Sequence, residues 1–220
     1  MALDTTWLEQ VPVLRTPVRV YFRTVHIPAT GAADPFRVKP NEGRWPTDWT
    51  LYTGSSPQVA WAEYCRNWSK DVAAADVTGG VGLTPLSLSA LGPISVGAPL
   101  PQRALYELTF AFERLADLLS PWGQHCVERA GFPLSDFYAD GPAYGMCPAL
   151  AASGNALGWE GMRVPSAALR TEHAFCLPVF AAGRARLTQA VEAVPAAHPT
   201  VAMAYATTYV PGERPSWLII

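Results

Sequence analysis

Apolar and polar positions along this chain fall into short segments, most of them strand-like. Pro17 to Arg23 places β-branched and aromatic residues in near alternation and reads as a strand. Residues 27–48 hold several prolines and glycines with no sustained period, which predicts a loop. Thr50 to Thr53 is expected to be a short strand. Gly54-Ser55-Ser56-Pro57 then opens a helix, because Ser56 suits the N-cap and Pro57 the first helical position. That helix is expected to run to about Trp68. Val59, Ala62, Glu63 and Arg66 share one side of it, and Trp61, Tyr64 and Trp68 another. Apolar surroundings on both sides predict that Glu63 is at least partly buried.

Further strands are expected over Ala104–Phe110, Met162–Val164, Ala174–Phe180 and Val201–Val210. Helical periodicity predicts a short turn at Glu113–Leu119 stopped by Pro121, a helix over Ala149–Leu157 ending near Gly158, and another over Arg184–Val194. Residues 71–101 are rich in Gly, Ala, Ser, Leu and Pro and carry no charge after Asp76. They predict an ordered apolar insertion that packs on or covers something, since a structureless loop of that length is unusual in a compact domain. Short strands interspersed with helices argue for a single mixed α+β domain over residues 1–220 and against a doubly wound sheet.

Composition narrows the function classes. With 220 residues, half of them apolar, the chain can bury a sizeable core. A net charge of −2 with scattered arginines gives no nucleic-acid-binding stripe. No window approaches the ~18 apolar residues of a membrane span, and the first residues lack the basic and apolar regions of a secretory signal. The four cysteines (Cys65, Cys126, Cys147, Cys176) show no C-x-x-C spacing. These features predict a cytoplasmic protein with free thiols. The four histidines (His26, His125, His173, His198) lack metal-ligand spacing, so no metal is expected. Neither G-x-G-x-x-G nor G-x-x-x-x-G-K-[ST] occurs, which removes the usual glycine-rich phosphate loops.

Candidate chemistry lies in Gly43-Arg44-Trp45, in Tyr52 at a strand end, in Glu63 on the following helix, and far downstream in Gly158-Trp-Glu-Gly-Met-Arg-Val-Pro-Ser166. Arg23 ends the first strand. Each has a plain alternative alone: a surface cation beside an indole, a packing tyrosine, a solvated helix carboxylate, a turn serine. As a set they suit a cationic, phosphate-bearing substrate. Arginine binds phosphate oxygens in a fork, a tyrosine face attracts a cationic ring, and a carboxylate stabilises positive charge developing on a sugar.

Arg23, Gly43-Arg44-Trp45, Tyr52, Ala60-x-x-Glu63, Gly158-x-x-Gly161 and Pro165-Ser166-Ala167 stand in an order that resembles the RES domain family over roughly residues 17–182. The Arg, Glu and Ser of that family correspond here to Arg44, Glu63 and Ser166. The resemblance implies an ADP-ribosyltransferase-like mixed β-sheet core with flanking short helices. It implies cleavage of NAD⁺ at the nicotinamide–ribose bond, by hydrolysis or by transfer to phosphate or another acceptor. It also implies the toxin role of a bacterial toxin–antitoxin pair, with an Xre-like helix-turn-helix antitoxin as partner. Arg23 and Arg44 are then expected at the diphosphate, Tyr52 at the nicotinamide, and Glu63 at the ribose. Ser166 is expected to orient Glu63 or bond the substrate; no G-x-S-x-G marks it as a nucleophile. Two alternatives stand beside this reading. One is a mono-ADP-ribosyltransferase acting on a macromolecule, and the other a non-catalytic nucleotide-binding or interaction module. Pro46 and Asp48 depart from the family's usual turn after Arg44, so a differently shaped loop is expected there. Residues 71–101 and 183–220 are candidates to cover the cleft, hold a partner or form a homodimer surface.

Overall fold

A computed structural model describes residues 2–26, 33–38, 40, 43–64, 103–139, 144–169, 173–192, 203–204 and 218–219. The strands are β1 (Val13–Leu14), β2 (Arg19–His26), β3 (Thr50–Gly54), β4 (Arg103–Phe110), β5 (Leu115–Asp117), β6 (Gly161–Pro165), β7 (Phe175–Phe180) and β8 (Leu187–Glu192). They form one sheet in the order β1-β5-β6-β7-β3-β2-β4-β8. β5 and β6 run parallel, and the other described neighbours pair antiparallel. Met203–Ala204 and Leu218–Ile219 make a separate two-stranded ribbon.

Strand alternation sorts the apolar side chains into two cores, one on each face of the sheet. Leu51, Leu177 and Val179 join Tyr21, Leu108, Phe110 and Phe112 on one face. Tyr52, Cys176, Met162 and Val164 lie on the other, against Trp45, Phe132, Phe137, Leu150 and Trp159. Helices Pro121–Arg129 and Cys147–Ala156 cover this second face. The described part of a further helix, 57–64, follows β3 directly.

The mixed α+β class holds. The strands expected near 17–23, 50–53, 104–110, 162–164 and 174–180 are present, and so is the helix before Gly158. Two expectations are corrected. Residues 113–119 are not helical: Leu115–Asp117 is a strand paired with both β1 and β6, which buries Leu115 and Ala116 completely. Pro121 starts a helix instead of stopping one, with Ser120 as its cap accepting from the Gly123 N–H at 3.1 Å. The described part of the helix expected over Arg184–Val194, residues 184–192, is not α-helical either. A 3-10 stretch, Ala181–Arg186, leads into β8, where pairing with β4 from Tyr106 to Phe110 overrides the helical period. A short N-terminal helix, Thr5–Leu8, and strand β1 carry too few residues for any period to show. The apolar insertion 71–101 lies outside the described residues, as do residues 205–210 of the expected last strand.

Candidate functional site

Glu63 is placed by the turn that sequence reading singled out. Ser56 accepts from the Val59 N–H at 3.2 Å and Pro57 opens the helix, so Glu63 follows two turns beyond the end of β3. Its Oε1 accepts four hydrogen bonds: from Ser166 Oγ at 2.8 Å, the Ala167 N–H at 2.9 Å, the Ala168 N–H at 3.1 Å and Cys176 Sγ at 3.3 Å. The Ser166 hydroxyl is fixed in turn, accepting from the Leu169 N–H at 3.0 Å. Such donors lock the orientation of the carboxylate. Because the Ser166 proton goes to Glu63, this serine positions the carboxylate and has no base to make it a nucleophile. Burial, and then the charge of Glu63, push the Cys176 thiol well above its usual range, so it stays protonated and able to donate.

Tyr52 and Arg44 stand on the same sheet face. The Tyr52 hydroxyl accepts from the Trp45 N–H at 2.8 Å. Burial, above other causes, raises its pKa. Gly43 sits over that hydroxyl at φ +88°; a Cβ there would stand 2.6 Å from the Tyr52 oxygen, so only glycine fits. Arg44 is 9% exposed and donates to the Phe137 carbonyl at 2.6 Å and the Ala139 carbonyl at 3.0 Å. Its charge acts on Tyr52, Cys147 and Cys176, which places it centrally among the site's titratable groups. Burial pushes the Cys147 thiol up to about 12 despite that cation. The loop after Arg44, where Pro46 and Asp48 depart from the family pattern, is braced internally. Thr50 Oγ1 donates to the Trp45 carbonyl at 2.9 Å and lies 2.7 Å from Thr47 Oγ1. Trp45 is buried against Phe132 and Phe137.

Arg44, Tyr52, Glu63 and Ser166 are thus gathered on one face of the sheet, and Arg23 is not. Arg23 pairs directly with Tyr106 across β2 and β4, on the face of the opposite core. It donates to the Tyr52 carbonyl at 3.0 Å and the Arg37 carbonyl at 2.6 Å. Burial, helped by nearby Arg103, lowers its pKa to about 10. Its geometry braces β3 from behind and does not point a fork at the face that carries Tyr52.

Sequence reading missed three contributors. Cys176 and the paired N–H groups of Ala167 and Ala168 hold Glu63 but carry no spacing signal of their own. Glu160, inside the Gly158–Gly161 motif, is a buried structural acceptor. It takes the Glu113 N–H at 2.7 Å, the Arg114 N–H at 2.9 Å and Arg186 Nε at 2.6 Å. None of the five predicted residues lines the cavity of about 500 Å³ beside the start of helix 57–64. Among the described residues there is no cluster of three or more metal-ligating side chains, and no helix is long and apolar enough to cross a membrane.

Comparison with solved structures finds a chain of the crystal structure of the M. tuberculosis MbcT–MbcA toxin–antitoxin complex. It is 20% identical, has a TM-score of 0.56, and the match covers 89% of this chain and 96% of that one. At that identity the likeness speaks for the fold. Comparison with curated proteins returns no significant match. The RES domain family model matches residues 16–203, past the 182 at which the sequence resemblance was drawn and across the Arg, Tyr, Glu and Ser positions described above. The chain belongs to the RES domain family.

Proposed function

We propose that this chain cleaves NAD⁺ at the nicotinamide–ribose bond and is the toxin half of a toxin–antitoxin pair. The observation that carries the reading is the Glu63 carboxylate, fixed by four donors on one oxygen and set on the same sheet face as Tyr52 and Arg44. A catalyst of glycosidic cleavage needs a carboxylate that is ionised and held still, so that it stabilises the oxocarbenium-like state without reorganising. In this reading the Glu63 carboxylate meets the ribose. The C–N bond breaks with its electron pair going to the pyridinium nitrogen, so nicotinamide leaves neutral and needs no acid. Water or phosphate then bonds to the anomeric carbon and gives its proton to solvent.

Tyr52 offers its ring to the nicotinamide, on the order of 0.5–2 kcal/mol for a cationic ring over an aromatic face. Arg44 supplies positive charge toward the diphosphate while held on the carbonyls of Phe137 and Ala139. Arg23 acts at one remove, by holding the Tyr52 carbonyl. The free thiols of Cys126, Cys147 and Cys176 suit a reducing, cytoplasmic setting. The structural neighbour comes from a toxin–antitoxin complex, which supports an antitoxin partner, here expected to be Xre-like.

The test is chromatography of products after incubating the purified protein with NAD⁺. Nicotinamide release from the wild type and its loss in folded Glu63→Gln is the expected result. No release from a folded wild-type sample, or undiminished release from Glu63→Gln, would sink the reading. The second product (free ADP-ribose, a phosphorylated ADP-ribose, or a labelled macromolecule) identifies the acceptor. Rescue of growth by co-expressing a neighbouring helix-turn-helix protein tests the toxin role.

A further inference from the structure

The cavity of about 500 Å³ is lined in part by Leu169, His173, Ala174 and Phe175 and touches none of the residues assigned above. Its wall combines Arg19, His173 and Ser55 with the aromatic rings of Tyr21 and Phe175 and with Val59. No carboxylate lines it among the described residues. Tyr21 is only 3% exposed, yet its hydroxyl has no hydrogen-bond partner among the described residues. That hydroxyl is not sealed from solvent, so it stands accessible at the cavity wall and can donate to a ligand there. The charges of Arg19 and Arg163 both act on that phenol. Arg163 stacks over the Phe175 ring at 4.8 Å and pairs with Asp117 at 3.4 Å, which leaves exposed Arg19 as the cation facing the opening. Ser55 braces this wall, accepting from the Phe175 N–H at 3.2 Å and donating to the His173 carbonyl at 3.4 Å. The helix 57–64 also starts at this wall, which adds positive potential.

We propose that this cavity binds a small phosphate monoester, with the phosphate at Tyr21 and Arg19 and the organic part against Phe175 and Val59. The donors and cations select an anion. The volume, within the usual range of roughly 300–1,000 Å³ for ligand sites, leaves room for more than inorganic phosphate. The site is separate from the NAD⁺ reading and stands or falls without it.

Calorimetric titration with phenyl phosphate, inorganic phosphate and phenol tests it on three proteins: wild type, Tyr21→Phe and Arg19→Glu. Tyr21→Phe keeps the ring and removes only the oxygen, and Arg19 is exposed, so both variants should melt like the wild type. The expected order of affinity is phenyl phosphate above inorganic phosphate, with phenol not binding. Each substitution should weaken phenyl phosphate by roughly ten-fold, the loss expected for one charge-assisted contact. Phenol binding as tightly as its phosphate, inorganic phosphate binding more tightly than the ester, equal affinity in all three proteins, or no binding to folded wild type would each overturn the proposal.

Discussion

Single substitutions around Glu63 can separate its charge from its positioning. Glu63→Gln keeps the side chain's size and removes its negative charge. The charge that would stabilise the oxocarbenium-like state is then gone, so the protein should fold normally and lose at least about 100-fold in kcat, with KM changed far less. Ser166→Ala removes one donor and leaves three; steady-state kinetics should show a loss of roughly 10-fold, again in kcat. Cys176→Ser keeps a donor at the same place and should stay near wild type, whereas Cys176→Ala should fall with Ser166→Ala. The raised thiols also set a pH dependence. The Cys147 thiol moves from an ordinary 9.0 up to about 12 in the folded chain, so between those values the folded state holds more protons than the unfolded. Its contribution is complete below pH 9 and is lost as pH rises toward 12. The melting temperature should therefore drop above pH 9, and less steeply in Cys147→Ala.

Among the elements, the strand–turn–helix around Tyr52 and Glu63 was the most legible part of the sequence, because Ser56-Pro57 marks a helix start by local chemistry alone. Arg44, Tyr52, Glu63 and Ser166 could be gathered from their order along the chain. Arg23 could not be assigned a face: alternation gives a parity along one strand, and which parity meets the site depends on sheet pairing. β5 and β8 were misread because both are short and owe their form to neighbours across the sheet, not to their own period. Glu160 looked like part of a functional motif and proves to be the joint between β6, residues 113–114 and the 3-10 stretch before β8. Removing it leaves three partly buried donors without their acceptor. Glu160→Ala should cost about 3 kcal/mol or more in urea denaturation, with no specific effect on KM in whatever fraction stays folded. Gly43→Ala should destabilise by about 1–3 kcal/mol, because it strains the backbone and displaces the Tyr52 hydroxyl.

For the whole molecule, the decisive feature is where β7 lies. It sits between β3 and β6, both made earlier in the chain, and β2 meets β3 through a single described pair, Phe22–Gly54. Closing such long-range pairs is slow, since chain entropy is lost before the contacts form. A chain ended at Leu169 should therefore show no cooperative thermal transition by circular dichroism and release no nicotinamide. The donors that fix Glu63 stand 103 to 113 residues downstream of it. While the ribosome works toward them, the growing chain already carries its glutamate, tyrosine and arginine but lacks the Ser166, Ala167, Ala168 and Cys176 donors. The chemistry is withheld until those downstream residues have been made. For a protein proposed to consume its host's own NAD⁺, that order of synthesis is a safety interval, during which a partner made alongside can be waiting.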